Sequence, residues 1–267
     1  MSFFTTFYAM WLAVLQLFLA VLICGALARF NVVPERLGKD LSGFIIRVLL
    51  PCMIFAKVVG NFNPGEMSGW WLLPLAASCM SLAGIGLAAL VFFSNLREHL
   101  NILPLGGIQN AGFLVLSVAT VIFPDSFDRF AAYLFLFLIG FDLVLWSLGK
   151  VLVTSGSDSE FKLREVISPP LVTMIGSVVI VLVGLNSYIP NVVMNAADLM
   201  GSATVPMAMA VLGLTLGKVS LKQWPPIIDI VKLMSVKYVI LPLLPGVVLV
   251  MLSGFINDPL LGDLMIL

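Results

Sequence analysis

The sequence predicts an all-α membrane protein, a polytopic bundle of helices, and three observations carry that prediction. Hydrophobic residues make up 61% of the 267 positions and charged residues only 10%, with a mean hydropathy of +1.13. A soluble domain carries roughly a quarter charged residues. The apolar segments run for about 20 residues, the length that crosses a bilayer as a helix, whereas barrel strands alternate over about ten. One segment, 104–124, is long enough to span but is broken inside by Gly106, Gly107, Asn110 and Gly112. Lipid cannot satisfy unpaired backbone groups, so such a segment belongs where protein or water lines a cavity.

Eight apolar spans follow in order, at 8–28, 41–59, 70–93, 104–124, 130–152, 168–185, 192–216 and 227–252. The first lacks the positive leader and small-residue cleavage site of a signal peptide and is expected to be retained. A ninth starts after Pro259 and is cut off at Leu267, too short to cross a membrane, so it is expected to be truncated or interfacial.

Loop charges orient the bundle. Connections after odd-numbered spans hold nine of the fourteen Lys and Arg residues (Arg29, Arg36, Lys39, Arg97, Lys150, Lys162, Arg164, Lys218, Lys222). Those after even-numbered spans hold two, Lys57 and Arg129. Positive loops stay in the cytoplasm, so the N-terminus is expected outside a plasma membrane, with a bacterial inner membrane the natural setting.

The only sizeable polar connection, 154–166, separates a first block of five spans (1–153) from a second block (167–267). Five is odd, so a second copy would enter with opposite topology, the condition for an inverted repeat. Spans two and seven give this some substance. Both begin Asp-Leu, at Asp40 and Asp198; both place a glycine fourth, Gly43 and Gly201; and both carry an internal proline, Pro51 and Pro206.

Other motifs resolve into packing. Gly84-Ile-Gly86-Leu-Ala-Ala89 spells a dinucleotide fingerprint but lies inside a span with no preceding strand, so small-residue packing is the better reading. Gly213 to Gly217 with Lys218 is one residue short of a phosphate loop and reads as a helix contact. Cys24, Cys52 and Cys79 lie in apolar segments without metal-ligand spacing, and no metal site is expected. His99, the single histidine, reads as a solvated loop residue. Enzyme signatures such as a nucleophile elbow or a paired-histidine zinc motif are absent. A net charge of zero leaves no nucleic-acid footprint.

Ionisable residues inside spans are costly and usually face the bundle interior. Asp142 sits mid-span five, as a structural partner or a carrier of a coupling proton or sodium ion. Arg47 pairs with it or snorkels inward, Lys57 snorkels at the outer end, and Lys237 is a candidate for an ion pair or an anion contact. The sharper signal is the broken segment. A half-helix starting after it presents backbone N–H groups and a positive dipole end to an anion. Gly107 and Gly112 allow unusual angles and close approach, Asn110 can cap the half-helix, and Ser117 and Thr120 can bond back to their own backbone. The alternative is a glycine-rich packing seam.

The segments 41–58, 106–124, 168–185 and 203–217, in that order and spacing, resemble the auxin efflux carrier family, of the bile-acid and arsenite transporter superfamily. The resemblance implies two inverted five-helix repeats with broken fourth and ninth helices crossing at the site. It maps Asn110 and Gly112 onto the break in the fourth helix; with Gly107, Gln109 and Ala111 these are the expected substrate-binding residues. Asp142, Lys237 and Arg47, read from their place inside spans, are the expected coupling or ion-pair residues. Three features depart from the family pattern: no proline follows the break until Pro124, Asp142 stands where an uncharged polar residue is commoner, and the sequence to Leu267 is expected to lack the last two helices, and with them half of the crossover. The activity implied is a permease or efflux carrier for a small organic anion such as a dicarboxylate, working by alternating access without a cofactor. Coupling to protons or sodium is open. Partners expected are the anion, the bilayer and a second copy in a homodimer. A sodium-coupled symporter of the bile-acid type, and a receptor or assembly subunit reusing the fold, are the rival readings.

Overall fold

A computed structural model describes residues 3–34, 36–66, 69–154, 167–219 and 226–243, and every regular element among them is helical. In chain order the α-helices are α1 (Phe3–Arg29), α2 (Arg36–Phe44), α3 (Leu50–Asn61), α4 (Leu72–Val91), α5 (Pro104–Gly107), α6 (Phe113–Ile122), α7 (Phe127–Val144), α8 (Lys150–Val153), α9 (Pro169–Leu182), α10 (Asn191–Ser202), α11 (Thr204–Lys218) and α12 (Ile227–Ser235). Helices fall within each of the eight expected spans, with the fourth interrupted over 108–112. Among the described residues, four helical stretches are long and apolar enough to cross a membrane: Arg36–Asn61, Leu72–Val91, Phe127–Val153 and Asn191–Lys218. The linker beyond Thr154, the eighth span beyond Leu243 and the whole ninth span lie outside the described residues.

Three helices contain a π turn, at Ile45–Leu49, Leu145–Gly149 and Val236–Ile240. Two of these precede a proline by two residues, Pro51 and Pro242. Proline has no N–H to return to the carbonyl four back, so the ladder there must re-register. The residue before each proline does this by bonding five back, Leu50 N–H to Ile45 O and Leu241 N–H to Val236 O. In span seven Pro206 has the same cause and another outcome, a break at Ala203 between α10 and α11.

The chain forms two compact units. Unit 1 holds Met1–Phe62, Ala111–Ala132 and Val172–Lys222. Its centre is the contact of α1 with α11, closed by glycines. A Cβ at Gly213 would overlap the Val21 carbonyl oxygen, and one at Gly217 would overlap that of Gly25. This is the small-residue contact expected of Gly213 and Gly217. The other side of α1 exposes Phe18, Leu22 and Ile23, the apolar surface a helix offers to lipid. Gly201 lies on α3, where a Cβ would come 2.6 Å from Met53 Cα. Phe113, the first residue of α6, packs on the buried cluster of Ile45, Leu49 and Ala208.

Unit 1 also contains the only two positive-φ residues among those described, Asn31 (φ 56°) and Gly184 (φ 78°). Each lies two residues past a helix, α1 ending at Arg29 and α9 at Leu182. Each is followed by a proline, Pro34 or Pro190, before the next α-helix starts, with a 3-10 turn at Leu185–Tyr188 in between in the second case. A left-handed residue there stops the helix and donates its N–H to a carbonyl of the last turn, Asn31 to Ala28 O and Gly184 to Val181 O.

Unit 2 holds Asn63–Asn110, Tyr133–Leu171 and Gln223–Leu267. Here α4 is the hub. Gly140 of α7 sits against Pro74, and Ser78 Oγ lies within hydrogen-bonding distance of both Pro74 O (3.0 Å) and Gly140 O (3.1 Å). At one end of α4, Ile85, Ala88 and Phe92 bury with Leu103 and Val144. The halves read from the sequence, 1–153 and 167–267, are divisions along the chain. The compact units cross them, because each unit takes helices from both halves.

Candidate functional site

The fourth span is broken. Helix α5 ends at Gly107 after four residues and α6 begins at Phe113, leaving Ile108–Gly112 outside any helix. The glycine run turns out to serve two purposes. Gly106 and Gly107 are helical and buried against α4. A Cβ on Gly107 would overlap the Ser81 carbonyl oxygen, and one on Gly84 would sit 2.6 Å from Gly107 Cα. That is the packing seam, and Gly84 of the fingerprint-like string belongs to it. Gly86 does not, since a Cβ there meets nothing within 4 Å.

The second purpose is the break. Ile108 turns extended (φ −87°, ψ 110°), and Gly112, the N-cap of α6, adopts φ −98° and ψ −85°. No side chain caps α6. The cap expected from Asn110 is therefore corrected: the N-cap position falls two residues later, on a glycine that has nothing to cap with. The expected back-bonding within α6 is present, Ser117 Oγ donating to Phe113 O and Thr120 Oγ1 to Ser117 O, both at 2.7 Å. Gln109, Ala111 and Gly112 are half-buried and Asn110 is exposed.

On the unit 2 side, Ile108 is held from two directions. Its side chain faces Gly149, where a Cβ would lie 3.4 Å from Ile108 Cδ1. Its carbonyl oxygen accepts a hydrogen bond from Lys237 Nζ at 2.9 Å. Lys237 is the second residue of the π turn Val236–Ile240, so the proline-driven re-registration of span eight sets where this ammonium points. A cation on the carbonyl just past a helix C-terminus complements its dipole. Of the four ionisable residues singled out inside spans, Lys237 is the one with a hydrogen bond to the break.

Asp142 is half-buried in α7 of unit 2; Arg47 is exposed in the π turn of unit 1. Among the described residues neither forms an ion pair. The pairs that do form were not foreseen. Lys57 Nζ bridges Asp128 (2.8 Å) and Asp198 (2.6 Å) in unit 1, with the lysine side chain 12% exposed. Lys57 thus joins three helices instead of only snorkelling. A signal for the pairing lay in the span order, which puts the end of span two and the starts of spans five and seven, and so Lys57, Asp128 and Asp198, on one side.

In unit 2, His99 Nδ1 lies 2.9 Å from Asn95 O and Nε2 lies 3.3 Å from Asp229 Oδ2. This corrects the reading of His99 as a solvated loop residue. With both nitrogens facing oxygens, the doubly protonated ring is favoured. Its pKa is raised from the ordinary histidine value, first by the hydrogen bond to the Asn95 carbonyl and then by Asp229, against some desolvation. Phe92 stacks on the ring at 4.9 Å, and Lys232 lies 5.2 Å over Phe92.

An apolar span broken beside a buried glycine seam is the kind of discontinuous helix that membrane transporters use at their binding sites. Residues 9–161 and 157–266 match the family described as membrane transport protein. The chain belongs to that family, the auxin efflux carriers. It is 28% identical over 199 residues to an uncharacterized transporter of Methanocaldococcus jannaschii, covering 72% of this chain and 64% of that one. Protein ECM3 of Saccharomyces cerevisiae is 26% identical over 129 residues, covering 47% of this chain and 19% of that protein. The matched part of this chain therefore spans less than two thirds of either relative.

Proposed function

We propose that this membrane transport protein is a secondary carrier for a small organic anion, of the carboxylate or dicarboxylate class, working by alternating access. The observation that carries the reading is the ammonium of Lys237 on the carbonyl of Ile108, at a break in a membrane span. In the structure that carbonyl is its partner. An entering carboxylate offers a stronger, charge-assisted acceptor, so Lys237 can exchange a backbone oxygen for the substrate. Gln109 and Asn110, the next residues of the break in the same unit, supply amide donors. Binding that swaps one partner for another at a non-helical segment is the sort of differential contact an alternating equilibrium requires.

Asp142 is the candidate coupling group, with protons or sodium as the coupled ion. The matching turns at Asn31 and Gly184 support an inverted repeat relating spans one and two to six and seven. The lysine–carboxylate cluster at Lys57 and the pairing of His99 with Asp229 each gather residues that the loop-charge rule puts on one side. That supports a multi-pass protein, and the positive-inside bias of the loops supports an N-terminus outside a plasma membrane.

The class of substrate is tested by uptake of a panel of labelled solutes into proteoliposomes. Saturable uptake of malonate or malate, and none of choline or glucose, is expected. Uptake of choline or glucose in place of the acids would overturn the reading.

A further inference from the structure

We propose that unit 1 carries a separate binding site for the phosphate headgroup of an anionic phospholipid, in the pocket where α1, α2 and α11 meet. The pocket has a volume of about 350 Å³, and Lys39, Ser42, Thr215 and Lys218 supply its polar lining. That is the small end of the range for ligand sites. No carboxylate lines it; Asp40, next to Lys39 on α2, is not among the lining residues. Lys218 Nζ donates to Asn31 Oδ1 at 2.6 Å, which fixes the ammonium at the rim. Asn31 is the left-handed residue that ends α1, so the turn between spans one and two places both the amide and, through α2, Lys39. Thr215 donates its proton to Val211 O, so its oxygen is left to accept, while Ser42 offers a hydroxyl donor. Close approach of α2 to α11 forms the floor, where a Cβ on Gly38 would lie 3.5 Å from Leu214 Cβ.

Two lysines, a hydroxyl and no carboxylate select a phosphate by charge and by hydrogen bonding. The surroundings select a lipid. Phe30 is 77% exposed and Val32 65%, and Phe44 and Ile46 are also exposed beside this basic end of the spans. A free anion has no use for that apolar rim, whereas acyl chains do. Basic pockets between spans near the membrane surface are suited to anionic headgroups for the same reason.

The test titrates the purified full-length chain, in neutral detergent, with phosphatidylglycerol, phosphatidylcholine or inorganic phosphate, and follows the melting temperature. Phosphatidylglycerol is expected to raise it saturably and phosphatidylcholine to leave it unchanged. The Lys39→Gln/Lys218→Gln variant should need roughly tenfold or more phosphatidylglycerol for the same shift, as two lysines near an anionic surface imply. Lys39→Gln alone should show an intermediate shift and serves if the double variant does not fold. An Arg97→Gln/Lys150→Gln control loses the same charge elsewhere and should titrate like the wild type. Equal titration of the Lys39/Lys218 variant and the wild type would overturn the site, as would equal weakening by the control. Saturation by inorganic phosphate at the same concentration would overturn the lipid as its source.

Discussion

Lys237 donates through Nζ to the backbone carbonyl of Ile108 at 2.9 Å, a bond between residues 129 positions apart in the chain. It ties the π turn of one span to the break in another. On the proposed mechanism it is also the bond that the substrate replaces.

Replacing Lys237 by Met removes the ammonium and keeps the length. A hydrogen bond to a charged group contributes about 1.5–3 kcal/mol, so dicarboxylate binding should weaken roughly ten- to hundredfold. Lys237→Arg should retain part of the affinity. Titration of labelled malonate onto detergent-purified protein measures both. Unchanged affinity in Lys237→Met would leave the lysine a purely structural tie to Ile108.

The seam between α4 and α5 predicts a contrast between two glycines of one helix. Gly84→Ala must push Gly107 and Gly106 away, since its Cβ would meet them at 2.6–2.7 Å, whereas Gly86→Ala meets nothing. Overpacking costs about 1–3 kcal/mol, equivalent to a drop of roughly 2–10 °C in melting temperature for a chain of this size. Gly86→Ala should match or slightly exceed the wild type, because alanine favours the helix. Thermal melts followed by tryptophan fluorescence separate the two, and equal melts would remove the seam.

Much of this was legible in the sequence, for physical reasons. Apolar length marks a span whatever its partners, so the helices from Phe3 to Leu243 follow from composition alone. The break at Ile108–Gly112 followed from glycines and amides that lipid would not tolerate. What could not be read was which glycine does which task. Gly106 and Gly107 looked like part of the break and are helical, because their neighbour across the seam, Gly84, is twenty-two residues away. The partner of Lys237 was equally hidden: a backbone carbonyl carries no residue-type signal. The π turns have a cause in Pro51 and Pro242, yet their register depends on packing.

His99 predicts a pH dependence. Its folded pKa is raised, so the stabilisation from the Asn95 carbonyl and Asp229 is fully present below the unfolded value of about 6.5. It is lost as pH rises through the higher folded value. Glu98 adds to the raising, and Lys232 packs on the same Phe92. The melting temperature of the wild type should therefore fall relative to His99→Gln on going from pH 6 to pH 8.5. A constant difference between the two across that range would contradict the pairing.

The Lys57 cluster predicts unequal effects from its members. Asp128 and Asp198 are 56% and 54% exposed, so each pair behaves as a surface pair of about 0.2–1 kcal/mol. Asp128→Asn alone should be nearly silent, because Asp198 still neutralises the lysine. Lys57→Met leaves both carboxylates without their common cation and should cost more than either single aspartate change. A double-mutant cycle on melting temperature would read the coupling between Lys57 and Asp198 directly. No coupling would mean that the two side chains do not meet in solution.

The central claim is that the break in the fourth span is where a small organic anion is carried. Uptake of labelled malonate into proteoliposomes, with wild type and Asn110→Leu reconstituted at equal density, tests it most directly. The account predicts saturable uptake by the wild type and uptake no greater than in protein-free liposomes for Asn110→Leu, with both proteins equally folded. Wild-type rates from Asn110→Leu, or no uptake by the wild type of any carboxylate tried, would contradict it.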